Sequence, residues 1–546
     1  MRTAKRVVKK ISRRHLLSTA GLLLVSPMLR TREVRASQAE AVEIENGRIQ
    51  GVRENEAVSF RGIPYGADTG GRNRFMAPRP VASWTGVRPA LEFGDRSPQG
   101  TGVEPVLPRQ SENCLVLNVY TPDVSRNARR PVMVWIHGGG FRSGSGNVDG
   151  RNLAKFGDAV VVTINHRLSV FGYSPLGYLN PDFADAGNAG QLDLLAALRW
   201  IKANIHVFGG NPDNVTPFGV SGGGSKIQTL MIMPAAEGMI HRAINQSGTT
   251  FYGMRPAVAW EPLMNEWLNV LGVARNDLRK MQELPVPQLL AAHAKAVDAL
   301  KTDDYRPVID GRHIPHGPLT PEAMAMKPSV PMIIQNCDSE ATYYLRNEPR
   351  NATVTGGQVK ARIKAQYSLD DAKAEAIMAG YLRDSENRTP WNVLAQFASD
   401  VVFRGRQLLV AEGMSEAKRA PVYVSNVVWK PTVGGSTVWG TPHAADQSLL
   451  FGSDAERSTN PGMAEASRNL MAVFAAFART GNPNHSGMPE WKPYTRTERA
   501  TLTIGEEYRA VNDYRGGGRQ ASRDFLHQGA HESLDGPLFT HSASAQ

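Results

Sequence analysis

The stretch Val215–Met233 reads VTPFGVSGGGSKIQTLMIM, and the fold turns on its centre. A β-prone run, Val215 to Val220, meets Ser221 inside G-x-S-x-G (Gly219-Val220-Ser221-Gly222-Gly223). A helix-forming run from Ser225 to Met233 follows at once. A sharp strand-to-helix turn lifts a serine hydroxyl clear of a sheet, and flanking side chains would strike the neighbouring strand or helix, hence the glycines. The N-terminus of the following helix aims backbone N–H groups at negative charge that develops beside the serine. Alone, the pentapeptide is a weak signal, because a glycine-rich βα turn with an incidental serine reads the same way. A phosphate loop is the near miss. G-x-x-x-x-G-K-[ST] fits Gly219 to Gly224, but Ser225 displaces the lysine and Lys226 is followed by Ile227, so that reading fails.

Moving outward, the continuous apolar runs Val132–Ile136 and Ala159–Ile164 suit strands buried on both faces. The first ends in His137-Gly138-Gly139-Gly140-Phe141. Residues 188–208 place Leu192, Leu195, Leu198, Ile201 and Ile205 on one helical face. Strand, helix, strand in this order predicts an α/β protein with a mostly parallel central sheet flanked by helices. Near the N-terminal side, Val42 to Arg53 reads as two strands joined by an Asn46-Gly47 turn. Phe60–Gly66 (FRGIPYG) reads as turn-rich, and Cys114–Tyr120 as a strand. Beyond Gly248 the chain is mostly helical, as at Gln288–Leu300, Asp371–Arg383 and Ala464–Arg479. Strand-like runs at Pro331–Ile334 and Val422–Val428 interrupt it. From about Gly516 to Gln546 the Gly-, Ser- and His-rich sequence reads as a loose tail.

The 546 residues, 41% hydrophobic and 21% charged, have the composition of a folded chain rather than a disordered or fibrous one. Residues 1–36 hold ten Lys or Arg against Glu33 alone, a net of +9, so residues 37–546 carry only the remaining +2 of the overall +11. No basic face is left for nucleic acid. The same N-terminus has Ser12-Arg13-Arg14-His15-Leu16-Leu17, an apolar run to Val25, and Val34-Arg35-Ala36 at a cleavage position. Paired arginines before a weakly hydrophobic stretch resemble a bacterial twin-arginine export signal, which implies a periplasmic or secreted protein. A run of about ten apolar residues is too short to anchor the chain across a bilayer. Residues 37–546 then form one domain. Cys114 and Cys337 are the two cysteines, read as unpaired buried thiols.

An activated serine needs a base, a group that orients the base, and donors for an oxyanion. Chain order supplies candidates: the HGGGF loop upstream of Ser221, Glu340 in VPMIIQNCDSEAT with Asp338 as the competing acid, and His443 in WGTPHAADQSLLFG near Asp446. Separately, each reads as a loop residue. Thirteen histidines are available, and position alone does not select His443.

Together, these stretches resemble the bacterial type-B carboxylesterases, relatives of the cholinesterases and para-nitrobenzyl esterases, from about Val42 to about Ile504. FRGIPYG, RFMAPRP (Arg74–Pro80), ENCLVLNVY (Glu112–Tyr120), VMVWIHGGGF (Val132–Phe141), NHRLSVFGY (Asn165–Tyr173), HRAINQSG (His241–Gly248) and FARTGNPN (Phe477–Asn484) carry the resemblance. It implies an α/β-hydrolase fold with large helical insertions after the nucleophile region. It also implies a nucleophile at Ser221, an acid at Glu340, a base at His443, and oxyanion donors at Gly139, Gly140 and Gly222. The implied reaction is ester hydrolysis through an acyl-enzyme, with a small-molecule ester and water as partners and no metal or organic cofactor. The sequence assigns no oligomeric state.

Some positions depart from that pattern. Val220 stands where many members have Glu, Gly222 where Ala is usual, Gln335 where Gly is common, and Asp446 where Glu is frequent. No cysteine precedes Cys114 to serve as the relatives' disulfide partner. The Ser97–Asn113 loop lacks the tryptophan with which cholinesterases hold quaternary ammonium, so choline esters have no visible support. An amidase or carbamate hydrolase could use the same three residues, and a non-catalytic binding relative could keep the fold.

Overall fold

Alternate residues of one strand show why this chain builds a sheet covered on both faces. In Arg130–Ile136, the side chains of Val132, Val134 and Ile136 join one apolar core while Met133 and Trp135 join another, all five buried. A strand with period-two side chains and no polar face must be sandwiched. The computed structural model describes residues 38–54, 56–100, 109–249, 253–302, 305–318, 320–327, 329–384, 388–432, 437–526 and 538–539. The export-signal reading at residues 1–36 lies outside them.

Thirteen strands form the sheet. They are β1 (Gln38–Ile44), β2 (Gly47–Glu54), β3 (Ala57–Pro64), β4 (Val87–Pro89), β5 (Val116–Thr121), β6 (Arg130–Ile136) and β7 (Val160–Ile164). The rest are β8 (Gly210–Val220), β9 (Ala243–Gln246), β10 (Met332–Cys337), β11 (Val422–Val427), β12 (Ala500–Ile504) and β13 (Tyr508–Asn512). Their order is β1-β2-β3-β5-β7-β6-β8-β9-β10-β11-β12-β13, with β4 beside β2. From β7 to β12 all neighbours run parallel, and the flanks are antiparallel except that β4 runs parallel to β2. This is the doubly covered, mostly parallel sheet that the sequence predicts.

One core holds the face of helix Ala189–Asn204 with Leu192, Leu195, Leu198, Ile201 and Ile205. The other holds helix Met463–Thr480 through Leu470, Val473, Phe474 and Phe477. Two smaller apolar clusters belong to the excursions between strands. One contains Phe141 and Phe171 with Trp260 and Trp267, and the other Ala341 with Trp391, Phe397 and Phe539.

Two expectations are corrected. Phe60–Pro64 is not turn but the end of β3, paired with β5 across a register shift between Phe60 and Ile63. The loose-tail reading fails at its start, because Gly516–Ser522 is a helix, and residues 527–537 and 540–546 lie outside the described residues. Arg519 grips Asp513 at 2.7 and 2.8 Å, and Leu538 joins the cluster around Trp391. Glycine-rich composition hid the helix, since three successive glycines argue against one on propensity while tertiary contacts decide.

Candidate active site

Three adjacent parallel strands bring their C-terminal ends to one place. Val220 of β8 aligns with Gln246 of β9, and Gln246 with Gln335 of β10. The residues that follow, Ser221, Ser247 and the Cys337–Glu340 turn, therefore leave the sheet at the same level. In open parallel sheets this edge is where ligands bind.

Ser221 sits between β8 and helix Gly222–Leu230 with φ 57° and ψ −122°, a left-handed conformation for a residue with a side chain. Such backbone costs about 1–3 kcal/mol and persists only where its surroundings enforce it. Here the Ser221 N–H donates to Gln246 O at 2.7 Å, and Ser221 O accepts from Ser225 N at 3.1 Å. Gly223 shows why the turn is glycine-rich, because a Cβ there would lie 2.0 Å from the Ile136 carbonyl oxygen. The loop that follows β6 is thus pressed against the serine turn. Within it Gly139 and Gly140 have φ of 83° and 61°. Nothing but Arg142 N at 3.9 Å faces a Cβ built on Gly140, so that side of the loop is open. Gly222, as the first helical residue, has an N–H with no partner inside its own helix. Loop and helix end together can present several N–H groups to one oxygen.

Glu340 is fully buried. Its Oε2 accepts from His443 Nδ1 at 2.6 Å, its Oε1 accepts from Cys337 N at 2.7 Å, and Ser247 Oγ donates to the same Oε1. His443 N–H returns to Glu340 O at 3.1 Å, so backbone and side chain both tie the histidine to the acid. His443 Nε2 is buried and makes no hydrogen bond among the described residues. With Nδ1–H given to the carboxylate, Nε2 is the basic nitrogen. Asp338, the rival acid, is engaged elsewhere: Tyr514 Oη donates to it at 2.7 Å and Arg515 Nη2 at 2.8 Å. The geometry pairs His443 with Glu340.

Sequence reasoning does not single out Ser247 or Phe403, both near the pair. Ser247, at φ 55°, is a second strained serine, and its role as a donor to Glu340 depends on a strand alignment that no local motif reports. Phe403 lies on a π-helical turn, Asp400–Arg404, and its ring centre is 4.6 Å from that of His443. An inserted π turn has no sequence signature here. Asp446 is fully buried, and its Oδ2 accepts from Gln246 Nε2 at 2.7 Å and Gln335 Nε2 at 2.8 Å. Burial pushes the Asp446 carboxyl above its usual range, and the charge of Glu340 adds to that. Gln335, the departure noted in the sequence, thus answers the departure at Asp446. Cys114 and Cys337 are both buried and unbonded, as read, and burial pushes both thiols up, away from the thiolate. Among the described residues no group of His, Cys, Asp and Glu could hold a metal ion, and no helix is long and apolar enough to cross a membrane.

Residues 38–520 match the model of the carboxylesterase family. The chain is 32% identical over 496 residues to the para-nitrobenzyl esterase of Bacillus subtilis (strain 168), covering 87% of this chain and 96% of that one. It is 30% identical to the phenmedipham hydrolase of Pseudarthrobacter oxydans, over 84% and 94% of the two chains. Among solved structures, a Geobacillus stearothermophilus carboxylesterase superposes with a TM-score of 0.75 at 31% identity, covering 88% of this chain and 99% of that one. The chain belongs to the carboxylesterase family, has the α/β-hydrolase fold, and is a carboxylic-ester hydrolase.

Proposed function

We propose that this carboxylic-ester hydrolase works as a serine esterase through Ser221, His443 and Glu340, with Gly139, Gly140 and Gly222 as oxyanion donors. The observation that carries the reading is the buried Glu340–His443 pair, 2.6 Å apart, whose outer nitrogen is left unbonded at the strand edge that also holds Ser221. His443 Nε2 takes the Ser221 proton as Oγ attacks the ester carbonyl carbon. Glu340 keeps the ring in one tautomer and stabilises the imidazolium. The carbonyl oxygen, now negative, accepts hydrogen bonds from the glycine N–H groups. His443 returns the proton to the departing alcohol, leaving an acyl group on Ser221. Water then attacks that acyl group as His443 takes its proton, and His443 returns that proton to Ser221 Oγ as the C–Oγ bond breaks and the carboxylic acid leaves. No step calls on a metal or organic cofactor.

Three features support an uncharged or weakly charged ester. Val220 brings no carboxylate beside the serine and is itself buried in the core. The rings of Phe403, Tyr343 and Tyr344 lie 4.6, 6.1 and 6.1 Å from His443. Tyr343 is exposed, so one of these rings meets solvent at the site. The test is hydrolysis of p-nitrophenyl esters from acetate to palmitate by the parent and by Ser221→Ala. Turnover of short esters by the parent alone upholds the reading; equal rates in both sink it. Matched anilide and carbamate substrates separate the amidase and carbamate alternatives.

The basic N-terminus further supports export through a twin-arginine signal, ahead of a hydrolase spanning residues 37–546. Fusing residues 1–36 to a reporter and replacing Arg13 and Arg14 by Lys tests this: secretion that survives the change would exclude it.

A further inference from the structure

Lys226, on the helix that begins beside Ser221, is fully buried. Its ammonium donates to the His137 carbonyl oxygen at 3.1 Å and lies over the Phe141 ring, 5.5 Å from the centroid. Both residues belong to the HGGGF loop, at its base and its end. Among the described residues no carboxylate pairs with this lysine. The groups that face it are His137 from the end of β6 and His166 from beyond β7, with ring centroids 4.8 Å apart and planes 10° from parallel. Burial first, and the lysine's own charge second, push His137 down to about 3 and His166 well below its ordinary range, so both rings stay neutral. The next charge, Arg167, is already held by Asp193 at 2.6 Å. Burial alone pushes Lys226 down to about 7.

An unpaired buried cation is destabilising, and a methionine or leucine would fill the same space without that cost. The ammonium therefore needs a reason, and its neighbours supply one. We infer that Lys226 is a positioning residue for ester hydrolysis: from the helix that follows Ser221 it fixes the base of the HGGGF loop through the His137 carbonyl and sets a positive charge against the loop that carries Gly139 and Gly140. The inference rests on the proposed roles of Ser221 and that loop. A cation held in a dry site gains most when the carbonyl oxygen becomes negative, so its effect falls on turnover rather than on ester binding. The charge is present at low pH and is lost as pH rises through about 7.

The experiment compares the parent, Lys226→Met, Lys226→Gln and Ser221→Ala on p-nitrophenyl butyrate across pH. Rates are counted per site titrated by an organophosphate, so that misfolded molecules do not enter. Lys226→Met is expected to lose about tenfold or more in kcat at acidic pH with KM little changed. The ratio of parent to variant should then shrink as pH rises through neutrality, a change that a purely structural role would not produce. Lys226→Gln, read in the same way, serves where the methionine variant gives no titratable sites. A ratio near one at acidic pH, or one that does not vary with pH, overturns the inference while leaving Ser221 in place. A Ser221→Ala variant as fast as the parent overturns the nucleophile assignment instead.

Discussion

Two buried ionisable side chains belong to this region, Glu340 after β10 and Lys226 on the helix that begins beside Ser221, and they are held in opposite ways. Glu340 is saturated, with Cys337 N, Ser247 Oγ and His443 Nδ1 all donating to it. Lys226 has one backbone carbonyl and an aromatic face. A carboxylate surrounded by donors is held rigidly, whereas burial without a counter-charge pushes the lysine down to about 7. The contrast teaches where the chain invests its polar groups. Glu340, the acid proposed for His443, is fixed by a full set of hydrogen bonds; the HGGGF loop is pressed against the serine turn and has the Lys226 contact at its base.

The largest effect expected comes from breaking the saturated side. Ser221→Ala and Glu340→Gln should each cut kcat for p-nitrophenyl esters by on the order of 10³-fold or more, since either removes the nucleophile or the tautomer that activates it. Asp338→Asn, two residues from Glu340 but bound to Tyr514 and Arg515, should lose less than about tenfold; a loss equal to that of Glu340→Gln would mean the acids have been assigned the wrong way round. Next comes the packed side. Gly223→Ala sets a Cβ against the Ile136 carbonyl, so a loss of about 1–3 kcal/mol in stability is expected, together with a fall in turnover. Denaturant unfolding and steady-state rates would read the two effects separately.

A third measurement sharpens the comparison of charges. Arg167 and Asp193 are both buried and joined at 2.6 Å, and Asp193→Asn leaves the guanidinium unpaired. It should cost about 3–5 kcal/mol. Lys226→Met removes a charge that was never paired, and its thermal midpoint should fall far less. Equal destabilisation of the two would show that the lysine has a partner in solution. The smallest effect expected is that of reductant: with Cys114 and Cys337 unbonded, dithiothreitol should leave the thermal midpoint unchanged.

Much of this architecture is legible in the chain because its signals are local. The apolar run Val132–Ile136 and the turn at Ser221 announce a parallel sheet and a strained serine within a few residues. What depends on distant alignment is not legible. β9 contributes four residues, of which only Ala243 and Ile244 are apolar, too short a run to stand out from its surroundings. The Ser247 contact to Glu340 exists because β9 and β10 end at the same level. Lys226 is the clearest case. As a motif it is a phosphate loop that fails by one position, and only the fold shows its ammonium turned inward to a carbonyl.

The parallel alignment of β8, β9 and β10 has a further consequence, for the order in which the molecule comes into being. The Ser221 turn and its loop lie within the first half of the chain, but Glu340 follows β10, and His443 follows β11, which itself comes after a long helical excursion. Pairings between strands so far apart in sequence form late, once the intervening loops have closed. During synthesis Ser221 is therefore made well before His443, the base proposed for it. On the proposed roles, ester hydrolysis is silent in any product that ends before His443, and its first appearance would date the docking of β11 against β10.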